Sequence, residues 1–195
     1  MSDEGFMKSA LERALERADK IEISQDKLDE LKYRAEGERL AAEFLKNSSF
    51  PLADELAKLG PEAGKHVLKA VESVFLQNLA LPRKEIDNAR NDNIFRGLSS
   101  IKTNKSGLRQ VKDQLANLSN YYSQAIKQNY EQLKSEVERA MSQAIQQKTG
   151  APPRTKLNVE RAPEFQENWR QLSGRLDTEY GKALAQLKQQ IAALK

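Results

Sequence analysis

Residues 108–144 read LRQVKDQLANLSNYYSQAIKQNYEQLKSEVERAMSQA, and the architecture follows from their spacing. The apolar positions are Leu108, Val111, Leu115, Leu118, Tyr122, Ile126, Tyr130, Leu133, Val137, Ala140 and Ala144. Their mean step is about 3.6 residues, the period of a straight α-helix. Beyond a proline-rich break the pattern resumes at Phe165, Trp169, Leu172, Leu176, Tyr180, Ala183, Leu187, Ile191 and Leu194. Two such stripes on otherwise polar helices are buried only against other helices.

The expected fold is therefore all-α: an elongated helical bundle with a long antiparallel, coiled-coil-like helical hairpin over 108–195. Four or five shorter helices precede it in residues 1–100, with a break at 101–107 and a Pro-rich connection at 148–163. The whole is expected to form one structural unit. Phe165, Leu176 and Leu187 fall on an eleven-residue repeat, which favours nearly straight packing over a left-handed heptad zipper. A helix over 108–147 spans about 60 Å and one over 164–194 about 46 Å. A compact chain of this length is only about 33 Å across. The hairpin must project from the rest or be wrapped lengthwise by it.

Composition agrees with a thin, extended core. Hydrophobic residues make up 38% and charged residues 31%, and mean hydropathy is −0.74. A disordered chain of the same polarity has no reason to space its apolar residues periodically. The formal net charge of +4 is uneven. Residues 1–60 hold 10 basic and 14 acidic side chains, and the remaining 135 hold 22 and 14. With no cysteine, disulfide and thiol chemistry are excluded. The opening residues lack a basic, then apolar, export signal, and no apolar run approaches the roughly 20 residues of a membrane span. The expected compartment is the cytoplasm.

Helix punctuation organises the first half. One helix is expected over 6–18 and a second after a Ser24 cap, carrying Leu28, Leu31, Ala35, Ala41, Phe44 and Leu45. Gly37 and Glu38 interrupt that stripe, so bending or exposure is expected there. Pro51, Pro61 and Pro82 each sit where a helix can start, with acidic residues following them. Helices over 51–59, 61–79 and 82–100 result. Val67, Leu68, Val71, Val74, Phe75 and Leu79 make the segment 61–79 the best-buried one expected. Asn104 or Ser106 is placed to cap the long helix, and Gly150, Pro152 and Pro153 stop it. The connection up to Pro163, being long for a bundle loop, is expected to be extended or mobile.

Catalytic signals are wanting. Gly60-Pro61-Glu62-Ala63-Gly64-Lys65-His66 imitates a phosphate loop, but its glycines are one residue too close and His66 replaces the magnesium-binding hydroxyl. A glycine stop followed by a proline-initiated helix explains every residue of it. His66 is the only histidine, too few for a zinc or di-iron site, and it is expected to be a partly exposed helix residue. No Gly-x-Ser-x-Gly elbow is present. No catalytic, cofactor-binding or metal residue is assigned, and no cofactor is expected.

One stretch carries a functional hypothesis. From Arg96 to Lys112 the chain holds Arg96, Lys102, Lys105, Arg109 and Lys112 and no acidic residue. Cations among small polar residues at a helix start suit phosphates or another anionic partner. Lys148, Arg154, Lys156 and Arg161 form a second basic set, expected at the opposite end of the hairpin. The leading expectation is a non-enzymatic cytoplasmic interaction or scaffold protein acting through helix–helix contacts, with a protein partner or self-association. The alternative is nucleic-acid or anionic-surface binding through Arg96 to Lys112.

Overall fold

The computed structural model describes residues 25–195 apart from 84, 154 and 156. The helix expected over 6–18 and the Ser24 cap lie outside the described residues, as do Arg154 and Lys156. Six α-helices and no strand occur among the described residues. They are α1 (Gln25–Lys46), α2 (Leu52–Ala57), α3 (Pro61–Asn78), α4 (Glu85–Ile101), α5 (Lys105–Thr149) and α6 (Pro163–Ala193). A single 3-10 turn, Val159–Arg161, precedes α6.

Proline rules hold in part. Pro61 and Pro163 stand within the first turn of α3 and α6, where a missing N–H costs nothing. Pro51 is instead the residue before α2. Pro82 lies in a non-helical stretch, and α4 starts only at Glu85. There the Arg83 backbone N–H donates to the Asp87 carboxylate at 3.0 Å, which satisfies a donor at the helix entrance.

α3 is packed along its length, with Val67, Val71 and Phe75 fully buried and Leu79 nearly so. Burying each such side chain stabilises the fold by about 1.5–3 kcal/mol. Its partner is α1, through Leu40, Ala41 and Phe44. Gly37 is not a point of exposure on α1, although Glu38 after it is exposed. Gly37 is buried, and a Cβ there would lie 2.6 Å from Ala70 Cβ and 2.7 Å from the Val67 carbonyl oxygen. The interruption in the apolar stripe is the point where two helix backbones meet. Gly97 of α4 does the same against a ring: its Cβ would come within 2.5 Å of Phe75. The Phe44 and Phe75 rings, 5.5 Å apart and tilted, fill the space among α1, α3 and α4.

His66 is buried beside this layer, at 7% exposure, with its ring 6.4 Å from that of Tyr33 and nearly parallel. The expectation of partial exposure failed because His66 stands one helical turn before Ala70, on the face that meets Tyr33 and Gly37 of α1.

The ends of the two long helices join the same core through Leu108, Val111 and Leu115 of α5 and Leu184, Leu187 and Ile191 of α6. Asn104 is the cap of α5, its Oδ1 accepting from the Gly107 N–H at 2.9 Å. The Thr103 and Asn104 N–H groups donate to the Lys195 carbonyl oxygen, both at 2.8 Å. Farther out, Tyr122 touches Asp177, Tyr130 stacks edge-on against Phe165 and Trp169, and Lys134 pairs with Glu160. Leu133, Val137, Val159 and Phe165 form a second, smaller apolar cluster there. The 3-10 turn before α6 is tied into it by Val159, which is 2% exposed. α5 stops at Gly150, whose φ of 71° is left-handed and open to glycine.

No described helix is long and apolar enough to cross a membrane.

Candidate functional site

The basic stretch straddles the turn between α4 and α5, and the fold divides its five cations into two groups. α4 turns Ile94 and Leu98 into the core. Its opposite edge, with Asp92, Arg96 and Ser99, then faces outward beside the first turns of α5. Lys105, Leu108, Arg109 and Lys112 form the facing wall, and Phe95 lies between the two. Phe95 and Leu108 are 5% and 4% exposed, so the crevice has an apolar floor and a charged rim. Arg96, Lys105, Arg109 and Lys112 all line it.

Lys102 does not. Its side chain turns inward and is 7% exposed, with Nζ 2.7 Å from Glu72 Oε1. It also donates to the Leu194 carbonyl oxygen at 2.7 Å. That places a cation at the C-terminal end of α6, where carbonyl groups lack partners. A lysine that links the body of α3, the end of α4 and the end of α6 is a packing element here, and its position in a run of surface cations hides it.

The rim cations are partly engaged already. The Arg96 guanidinium donates to the Ser48 carbonyl oxygen and to Asn93 Oδ1, and lies 5.1 Å over the Phe44 ring. Lys105 Nζ donates to the Ser99 carbonyl oxygen. Lys112 Nζ pairs with Asp92 Oδ1 at 2.7 Å across the crevice. Arg109 makes no hydrogen bond or ion pair among the described residues and is exposed. The role of Asp92 has no local signal in the sequence, because its pairing with Lys112 spans two helices. Beyond Lys112 the crevice continues between Asn88 and Asn91 of α4 and Ser119 and Asn120 of α5. Asn91 is taken up by the backbone of Ala80, donating to its carbonyl and accepting from its N–H.

A second polar cluster sits where the 79–84 connection meets the long helices. Tyr122 donates its hydroxyl to Asp177 Oδ1 at 2.5 Å, and the Arg83 guanidinium donates to Asp177 Oδ2. Burial by itself raises the Asp177 carboxyl, but the hydrogen bonds from Tyr122 and Arg83 outweigh it and hold the group below its ordinary value. Burial, reinforced by the bond to Asp177, pushes the Tyr122 hydroxyl up. These bonds tie Arg83, α5 and α6 together as a lock between segments. Tyr122 belongs to the apolar stripe, and its polar role is not visible in the sequence.

Among the described residues, no group of three or more metal-ligating side chains comes together. Compared with known proteins, the chain matches a family model over residues 53–193, described as a family of unknown function (DUF6657). No curated protein and no solved structure matches.

Proposed function

We propose that this chain, which belongs to the DUF6657 family, is a non-enzymatic cytoplasmic interaction or scaffold protein acting through helix–helix contacts. Its working part is a long antiparallel, coiled-coil-like helical hairpin formed by α5 and α6. The descending order of partners along them supports that reading: Gly107 against Leu194, Tyr122 against Asp177, and Tyr130 against Trp169 and Phe165. The observation that carries the function is the half-exposed apolar stripe on the outer part of this pair. Ile126, Tyr130, Trp169, Leu172 and Leu176 all stay partly open to solvent, whereas near the core the short helices cover Leu115, Leu184 and Leu187. Two helices alone cannot enclose such a stripe, and a third helical surface completes its burial.

Photo-crosslinking in the native cells tests this. A benzophenone side chain at position 172 or 176 is expected to give a discrete protein adduct, and one at the solvent-facing position 128 none. No adduct from 172 or 176 would overturn the reading.

Anionic-partner binding is the second reading, favoured by the convergence of Arg96, Lys105, Arg109 and Lys112 on one crevice. Its mark is affinity that falls steeply with salt.

A further inference from the structure

We propose that the α4–α5 crevice is a docking groove for an acidic helix of a partner protein, recognised by its carboxylates. The proposal rests on the anionic-partner reading and names the partner's chemistry.

Three features support it. Lys105, Arg109 and Lys112 stand at i, i+4 and i+7 on α5, a ladder about 10 Å long on one helix edge. A second helix lying alongside, with Asp or Glu at the same spacing, places one carboxylate against each cation. The crevice also shows the pairing it would use, because the Asp92 carboxylate already bridges to Lys112 at 2.7 Å. Finally, Arg109 is exposed and has no partner among the described residues, so its charge is available to a carboxylate.

A nucleic-acid strand fits less well. Grooves for single strands pair cations with exposed aromatic faces on which bases stack. Phe95 is the aromatic side chain lining this crevice, and it is 5% exposed. Tyr121, which is 65% exposed, does not line it. The crevice is moreover concave, walled by two helices, and does not offer a flat basic plane to a membrane.

The test is fluorescence anisotropy with the full chain and three labelled designed helical peptides. They are identical except for Glu, Gln or Lys at the i, i+4 and i+7 positions beside one leucine face. The Glu peptide is expected to bind at least about tenfold tighter than the Gln peptide, with the difference shrinking as salt rises. Lys105→Glu with Arg109→Glu should abolish that preference and transfer it to the Lys peptide. The single variant Arg109→Gln, at an exposed side chain with no partner among the described residues, should lower Glu-peptide affinity without touching the fold. Equal binding of Glu and Gln peptides, or a preference indifferent to these substitutions, overturns the proposal. A labelled oligothymidylate bound more tightly than the Glu peptide, and released by the same reversals, overturns it too but leaves the anionic-partner reading intact. If neither probe binds, both fail.

Discussion

Lys102 and Glu72 form an ion pair inside the core, Nζ 2.7 Å from Oε1, with the two side chains 7% and 21% exposed. Glu72 Oε1 has no other partner among the described residues, so Lys102 is its counter-charge. The same ammonium group holds the Leu194 carbonyl, and through it α3, the α4–α5 turn and the end of α6 are tied at one atom.

Removing one member of a buried pair strands the other's charge, at a cost of about 3–5 kcal/mol. Lys102→Ala is expected to lower the urea midpoint accordingly, while Lys102→Met with Glu72→Leu recovers part of the loss. If Lys102→Ala costs less than about 1 kcal/mol, the pair behaves as a surface bridge and its burial is wrong.

The glycines separate into two kinds with opposite expected outcomes. Gly97→Ala drives a Cβ to 2.5 Å from the Phe75 ring and should destabilise by about 1–3 kcal/mol through overpacking. Gly37→Ala meets the Val67 carbonyl oxygen, backbone that cannot swing aside, and should cost at least as much. Gly174 and Gly181 lie in α6, and a methyl group added at either would have nothing within 4 Å. Alanine at either should stabilise by about 0.5–1 kcal/mol through helix propensity. Thermal melts of the four variants check the contrast.

These glycines show how much of the molecule is legible in its sequence. The two long helices, the stop of α5 at Gly150, one of its two candidate caps at Asn104, and α3 as the central buried element all follow from periodicity and punctuation. Gly37 and His66 mislead because a one-dimensional pattern cannot show that a neighbouring backbone needs the missing side chain, or that a polar ring is on the packed side. Within the candidate site, four of the five cations meet in space, three of them because i, i+4 and i+7 is a helical face. Lys102 parts from them since it occupies the turn, where the face is no longer set by helical period. Asp92, Tyr122, Asp177 and Arg83 carry pairings between segments far apart in the chain, for which local sequence has no signal.

The Tyr122–Asp177–Arg83 lock should shape the pH dependence of stability at both ends. Asp177 has a folded-state pKa below its ordinary 3.8. Its contribution is therefore present above about pH 4 and is lost as pH falls through the folded value. Tyr122 is raised above its ordinary 10.0. Its contribution is complete below about pH 10 and is lost as pH rises through the folded value. Asp177→Asn should flatten the acid limb of the stability profile, and Tyr122→Phe the alkaline limb. A profile unchanged at both ends would contradict the lock.

Trp169 is the only tryptophan in the chain and lies in the outer cluster, its ring 5.0 Å from that of Tyr130. Its emission therefore reports on the outer parts of α5 and α6 alone. Tyr130→Ala, which removes an edge-on contact worth about 0.5–1.5 kcal/mol beyond area, should shift that emission to the red. The core around Phe75 should keep its own hydrogen-exchange protection, since the two apolar clusters are separate.

The native mass of the chain in gently lysed cells of origin, compared between wild type and a Leu172→Lys/Leu176→Lys variant of unchanged helicity, bears hardest on the interaction reading. The wild-type chain is expected in an assembly larger than its own 22.1 kDa, and the variant as the free monomer. A wild-type chain that is already monomeric, or an assembly indifferent to both lysines, would contradict a role through helix–helix contacts on the outer parts of α5 and α6.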